Sequence, residues 1–525
     1  MAGKTDVSVN LADAFVTMPT PLVDWLVVAP LVICLGAGGL LMMLRKNIRH
    51  HAPIALVALA LVVVLNAALL WRVLESGPVV MTMGRWLPPF GITFAADILG
   101  VLFALTAAIV AFFGALFARF DVDNTELRYG FYPFLMMMMA GITGAFLTGD
   151  IFNLYVWFEV LLISSFGLIV LGSRHDQLDG ALRYAFLNLI ATTVFLVTTG
   201  YLYGVFGTLN MADIARKAEG LRDTAPIMTL AVLYFFAFAM KAAAFPMNFW
   251  LPASYHTPRS VVSALFAGLL TKVGIYALLR TGFTLFSYEL QSFSGGFAIV
   301  AALTMLLGAL GALAQNDVRK MMAFTVISGI GVMLMGFALG QSLGLAGTIF
   351  YALHSMIAMT AIYLLAGLMH RRMGTPNLSE AGGIYQASPV LAGIALVLIL
   401  TVAGLPPFSG LWPKIMLVKA GLDVGAFWLV SVLLVSAFIT TMALGRVFLL
   451  AFWRPAPNGE ALPVFAKKHQ SSAMIALVGL TVPLVVFGLY PEPIVQVSLR
   501  AAEWLQNPQP YIQAVFPAAD QAVNP

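Results

Sequence analysis

Four ionisable side chains stand inside long apolar runs of the sequence: Glu159, Lys241, Lys272 and Lys414. A charge at mid-bilayer costs about 2.5 to 3.5 kcal/mol on insertion scales, so each of them needs a partner or a task. Glu159 follows Asp150 by nine residues, about 13 Å along a helix that starts there. Lys241 precedes Ala-Ala-Ala-Phe-Pro246, Lys272 stands in Leu-Leu-Thr-Lys-Val-Gly-Ile-Tyr, and Lys414 follows Pro407-Phe-Ser-Gly410-Leu-Trp-Pro413. Burial disfavours the charged form of such groups and an opposite charge restores it, so a glutamate and a lysine that can separate exchange protons near neutrality. That is the chemistry of a proton relay. Static interhelical ion pairs are the competing reading, but three lysines and one mid-membrane acid cannot all pair. His354, mid-way along the eleventh apolar run, and His256, at the start of the eighth, read either as relay members or as hydrogen-bonded packing residues. Accessory candidates are His256, Asp150, Ser164 and Thr271. Asp150 reads first as a helix N-cap, and Ser164, with Thr143, Thr148, Ser165, Thr192 and Thr193, as either a wet path or helix packing. Asp97 reads as interfacial.

The elements that must position these groups are membrane helices. Of 525 residues 61% are apolar and 10% charged, against roughly 25% charged in a soluble domain. Apolar runs of about 20 residues recur from Leu22 to Val497, each long enough to cross the hydrocarbon. The sequence predicts an all-α polytopic membrane protein. About fourteen spans fall near 22–43, 53–74, 92–118, 131–148, 150–172, 180–206, 227–249, 257–285, 294–314, 318–340, 344–369, 388–419, 423–453 and 472–498. Segments 209–221 and 495–505 suit short interfacial helices. An even count puts both termini on one side. Nine Lys and Arg, including Lys4, Arg280 and Lys419, fall in loops on that side, and fifteen fall on the other, as in Arg45 to His51 and Arg454 to Lys468. The excess of positive charge on the cytoplasmic side then predicts external termini.

Other function classes drop out. The single cysteine, Cys34, excludes a disulfide framework, a CxxCH haem attachment and cysteine-ligated clusters within the chain. No metal site is expected, and Met136 to Met139 read as helix packing. The first 21 residues, with Lys4, Asp6 and Asp13, lack the pattern of a cleavable signal peptide. A net charge of +5 scattered over loops points to no nucleic-acid partner. Without a P-loop or HExxH, energy must come from an ion gradient or another subunit, and no cofactor or catalytic residue is expected.

Two spans, the seventh and the twelfth, are interrupted in the same manner: at Lys241 to Pro246, and at Gly404-Leu-Pro406-Pro407-Phe-Ser-Gly410. Pro246 and Pro406 are 160 residues apart. A repeat of five helices must invert in the bilayer, because five is odd, and broken helices at matching positions of two halves point to a transport site. The expected division is an N-terminal three-helix segment at 1–130, one five-helix repeat at 131–290, its inverted copy at 291–454, and a C-terminal helix and tail at 455–525. Mid-span proline as a simple kink is the alternative.

Gly149-Asp-Ile-Phe-Asn-Leu-Tyr-Val-Trp-Phe-Glu159-Val-Leu-Leu-Ile-Ser-Ser165 resembles the signature of the D-type subunits of Mrp-type (multiple resistance and pH, also Pha-type) cation/proton antiporters. Lys241 to Pro252, Ser263 to Arg280 and Asn316-Asp-Val-Arg-Lys320 resemble the wider antiporter-like family shared with the membrane subunits of respiratory complex I. The resemblance covers roughly residues 90 to 455. It implies fourteen helices with two inverted five-helix repeats, a coupling pair at Glu159 and Lys241, and a midplane series continuing through Lys272, His354 and Lys414. Several relatives carry a lysine where this chain has Met359, so water or His354 would bridge the half-sites here.

The expected function is therefore that of a proton-translocating subunit in a multi-subunit sodium (or potassium)/proton antiporter, a secondary transporter and not an enzyme. The resemblance implies A-, C- and other Mrp-type subunits as partners, and a place in the bacterial inner (plasma) membrane. Two alternatives stay open: an antiporter-like subunit of a redox complex of the complex I or membrane-bound hydrogenase type, and a scaffold that conducts nothing.

Overall fold

The computed structural model describes Phe15, residues 20–456 and residues 470–516. Lys4, Asp6, Asp13, most of the expected loop from Arg454 to Lys468, and the end of the chain lie outside the described residues. The chain opens with α1 (Ala29–Met43), α2 (His51–Ser76), a hairpin of β1 (Val79–Thr82) and β2 (Thr93–Ala96), α3 (Ile98–Asp121) and the short α4 (Asn124–Tyr129). Next come α5 (Phe131–Leu147), α6 (Ile151–Val170), α7 (His175–Phe206), the short α8 (Met211–Leu221), α9 (Ile227–Ala242) and α10 (Trp250–Tyr255). A π-helical turn at Phe266–Leu270 joins α11 (Ser260–Leu265) to α12 (Thr271–Thr284). Then follow α13 (Ser287–Ala314), α14 (Val318–Leu339), α15 (Ser342–Met373), α16 (Ile384–Ala387), α17 (Pro389–Ala403), α18 (Leu411–Asp423) and α19 (Phe427–Val447). The last elements are α20 (Gln470–Leu489), α21 (Glu492–Gln506) and α22 (Gln509–Val515).

Among the described residues ten helices are long and apolar enough to cross a membrane, counting α11 to α12 as one, and α1, α5, α9 and α17 are shorter apolar helices. Two expected boundaries move. The run 92–118 begins as a strand, because residues 93–96 pair with 79–82, and the helix starts only where Asp97 accepts from Gly100 N at 2.8 Å. The run 472–498 divides into α20, ending at Leu489, and the amphipathic α21 after Tyr490-Pro491. Among the described residues the regular structure is thus helical apart from one small hairpin. α11, α12 and α15 are buried along their length and form the centre, whereas α2, α7 and α13 keep one face outward. Three of the four methionines from Met136 to Met139 are core residues.

One packing arrangement occurs twice. Gly141 and Gly144 of α5 sit against Leu161 and the Trp157 ring of α6, so closely that a Cβ would fall 2.8 and 2.3 Å from them. Gly308 and Gly311 of α13 meet Ser328 and the Phe324 ring of α14 in the same way, at 2.3 Å each. At the next turn Ile151 N donates to Leu209 O and Met211 N to Gly149 O, and the same reciprocal pair joins Val318 N to Pro376 O and Leu378 N to Asn316 O. Every correspondence (141 to 308, 157 to 324, 150 to 317, 210 to 377) is 167 residues. α7 and α15, each 32 residues long, keep the same offset, 175 to 342.

The two breaks also share one geometry. α9 ends at Ala242 with Ala243 left-handed at φ 61°, and α17 ends at Ala403 with Gly404 left-handed at φ 81°. Ala244 N donates to Ala239 O and Leu405 N to Leu400 O, each a wide turn that closes the helix. The offset here is 161 residues, 243 to 404, so Pro246 corresponds to Pro407, which corrects the expected match with Pro406. A break inside the membrane strands backbone polar groups, which must find partners. Phe245 N donates to Thr304 Oγ1 at 3.0 Å, Met240 O accepts from Trp250 Nε1 at 3.3 Å, and Ala403 O accepts from Lys414 Nζ at 2.7 Å.

Candidate functional site: a buried series of ionisable groups

Glu159 projects from the middle of α6, half-buried, and its Oε1 has no hydrogen-bond partner among the described residues. Lys241 stands one residue before the end of α9, 7% exposed, with Nζ 5.4 Å from the centroid of the Phe158 ring. The Glu159 charge acts on Lys241, yet among the described residues no ion pair within 4.0 Å joins them. Attraction across a gap, with an aromatic face near the ammonium, is what a pair that can part requires.

Lys272 is fully buried at the start of α12 and donates to Ala267 O at 2.6 Å. Ala267 lies in the π-helical turn, so the ammonium serves a carbonyl that the irregular turn frees. Lys414 does the same at the second break: Nζ donates to Ala403 O, the last carbonyl of α17, at 2.7 Å. It reaches that carbonyl across Gly404, where a Cβ would stand 2.6 Å from Nζ. His354 of α15 stands at the second break, its Nδ1 2.9 Å from Ser409 Oγ, within electrostatic range of both Lys272 and Lys414. Met359, five residues on in α15, is buried and supplies no proton-binding group. The five expected relay residues therefore fall into two groups, Glu159 with Lys241, and Lys272 with His354 and Lys414. α12, which carries Lys272, packs on α9, which carries Lys241, at Gly274, a Cβ of which would stand 2.6 Å from Ala242 N.

The accessory candidates separate. Thr271, beside Lys272, has a buried hydroxyl with no partner among the described residues. Ser164 donates to Val160 O at 2.7 Å within its own helix and does not reach the series. Asp150 is the N-cap of α6, accepting from Asn153 N at 2.8 Å. His256 lines a cavity of about 690 Å³ with His175, Asp176, Asn248 and Lys320. Its Nδ1 is 2.8 Å from Pro252 O, and burial holds the imidazole below the ordinary histidine range, helped by Lys320 and Arg319.

Sequence reasoning did not find Ser409 or the buried pair of Asp97 and Arg280. Arg280, expected in a loop, is 4% exposed in α12, and its Nη1 and Nη2 bond Asp97 Oδ2 and Oδ1 at 2.6 and 2.7 Å. The partners are 183 residues apart, so no local spacing could reveal them. The Asn316 to Lys320 motif proves to be a fastening: Asp317 caps α14, and Arg319 bonds His256 O, Pro258 O and Ser260 Oγ at the mouth of α11.

Residues 148–440 match the family described as NADH:quinone oxidoreductase/Mrp antiporter, transmembrane. The chain belongs to that family. All five ionisable groups of the series fall within the matched segment. A curated relative, the D-type subunit of the Na(+)/H(+) antiporter of Alkalihalophilus pseudofirmus, is 36% identical over 491 residues, 94% of this chain and 99% of the relative. Among solved structures, a chain of the Mrp complex from Dietzia sp. superposes with a TM-score of 0.87 at 27% identity, covering 94% of this chain and all of that one. A chain of an archaeal respiratory membrane complex, the membrane-bound sulfane sulfur reductase, superposes at 0.85 with 25% identity, over 94% and 99% of the two chains.

Proposed function

We propose that this chain is the D-type, proton-conducting subunit of a multi-subunit sodium or potassium/proton antiporter in the bacterial inner membrane, assembled with other Mrp-type subunits. The full-length likeness to a D-type Na(+)/H(+) antiporter subunit and to a chain of an Mrp complex supports the assignment. The observation that carries the proton-conducting role is the parted pair of Glu159 and Lys241: among the described residues, one buried carboxylate oxygen without a partner and one ammonium without an acceptor. A proton taken up while Lys241 faces Glu159 is released, as they separate, toward Lys272, His354 and Lys414, with Thr271 and water completing the connection. Glu159→Gln in the assembled complex should abolish cation-driven proton movement in inverted vesicles, and wild-type movement would remove Glu159 from the route.

Ten long and four shorter apolar helices are counted as fourteen spans in this reading. The recurrent packing at offsets of 167 and 161 residues supports inverted repeats at 131–290 and 291–454, flanked by a three-helix segment at 1–130 and a tail from 455. The excess of basic residues in one set of loops supports external termini; an impermeant thiol reagent should label a cysteine at Ser292 and not one at Ser173.

The likeness to a chain of the archaeal respiratory complex favours a second reading, in which redox chemistry elsewhere drives the same relay. Purification of the intact complex decides between them: bound flavin, iron–sulfur or quinone-reducing subunits would support the redox reading.

A further inference from the structure

The small cavity at Lys241 contains a polar side chain with no part in the series described above. Phe158, Tyr184, Asn188, Trp250 and Leu270 line it together with Lys241, and its volume is about 20 Å³. That is room for one water. Asn188, on α7, is 5% exposed. Its Nδ2 donates to Tyr184 O at 2.9 Å, which fixes the amide orientation and leaves Oδ1 with no protein donor among the described residues. The neighbouring hydroxyl of Tyr184 is already bonded to Ser165 Oγ at 2.6 Å. Lys241 Nζ, for its part, has three hydrogens to donate and no protein acceptor among the described residues. An acceptor without a protein donor and a cation without a protein acceptor thus line one small cavity, bordered by Leu161 and Leu162 of the helix bearing Glu159 and by Leu270 of the segment bearing Lys272.

We propose that Asn188 is a positioning residue for proton transfer. Its Oδ1, directly or through the single water the cavity admits, accepts a hydrogen bond from the Lys241 ammonium once that group has parted from Glu159, and so holds the protonated lysine on the Lys272 side. The inference rests on the proposed function. An amide oxygen suits this station because it binds an ammonium without neutralising it. A carboxylate in its place would bind the cation far more strongly and hold it there.

The test uses the whole complex in inverted vesicles at matched assembly, with sodium as the driving cation. Asn188→Leu keeps the branched shape and removes the acceptor, Asn188→Asp keeps the shape and adds a charge, and Asn188→Ser leaves a hydroxyl and space for water. The expected result is a loss of maximal rate of about tenfold or more in the Leu and Asp variants, with an unchanged sodium KM, and most of the rate retained in Ser. A packing role gives the opposite order, since Asp is the closest in shape and Ser leaves the largest void. Wild-type rate in the Leu variant, or an active Asp beside an inactive Ser, overturns the inference. Where the Leu variant fails to assemble, the Asp and Ser pair decides by the same criterion. Lys241→Ala is the control: if it retains activity the proposed function itself fails, whereas an inactive Lys241→Ala beside a wild-type Asn188→Leu overturns only the role of Asn188.

Discussion

Lys241 Nζ lies 5.4 Å from the ring of Phe158, the residue next to Glu159, and forms no ion pair with Glu159 within 4.0 Å. A fixed interhelical salt bridge, the bland explanation for a glutamate and a lysine in a membrane, would close that gap and satisfy both groups. Here both groups are incompletely satisfied, which is costly. The cost has a use if the two must meet and part in each cycle.

The second break makes a test of the far half of the series. Gly404 holds φ 81°, and the Lys414 ammonium passes close over it to reach Ala403 O. Gly404→Ala adds a Cβ where left-handed geometry disfavours one and where Lys414 Nζ would be 2.6 Å away. The complex should assemble, and the antiport rate should fall by about tenfold as Lys414 is displaced. Unchanged rates would mean that the position of Lys414 does not matter.

The pair of Asp97 and Arg280 has a structural role and should show a structural signature. Both side chains are nearly inaccessible and bonded through two contacts. Removing one partner of such a pair costs about 3 to 5 kcal/mol, because the other charge is left buried and alone. Asp97→Asn should therefore lower the melting temperature and the yield of the complex, as read by scanning fluorimetry and gel filtration. The rate per assembled complex should stay close to wild type.

His256 should contribute nothing to the pH profile above about pH 7. Burial holds its folded-state pKa below the unfolded value, so the neutral form persists to lower pH than in a free histidine, and no proton is bound or lost there on the alkaline side. Rate against pH for His256→Gln should overlay wild type in that range. An altered alkaline limb would show that His256 titrates during turnover.

The glycines at the recurrent packing allow a symmetry test. A Cβ at Gly144 would fall 2.3 Å from the Trp157 ring, and one at Gly311 would fall 2.3 Å from the Phe324 ring. Each Gly→Ala substitution should destabilise the complex by about 1 to 3 kcal/mol through overpacking. The two losses in thermal stability should be similar. A large loss at one position and none at the other would show that the two packings are not equivalent.

Much of this arrangement was legible in the chain because membrane helices write themselves in long apolar runs, and charges within those runs are few enough to single out. Glu159, Lys241, Lys272 and Lys414 were conspicuous for that reason alone. The repeat was half legible: the breaks at Pro246 and Pro407 announced themselves, but the register differs by one residue from that of the more conspicuous Pro406, because the backbone reversal at Ala243 and Gly404 sets it. Glycines 141, 144, 308 and 311 carried the same register in plain view, but their meaning depends on which aromatic ring lies across from them. What the sequence could not reveal are contacts between distant segments, such as Asp97 with Arg280 and His354 with Ser409. Nor could it tell that Ser164 closes on its own helix while Thr271 does not, since both are small hydroxyls in apolar surroundings.

The most direct measurement compares sodium-induced proton movement in inverted vesicles containing the whole complex, wild type against Lys241→Ala, at matched assembly. Loss of exchange with the complex intact is expected, because in the proposed route Lys241 takes up and passes on the proton. Exchange at the wild-type rate would contradict it: the proton would then cross through another subunit, and Glu159, Lys241, Lys272, His354 and Lys414 would not form its route.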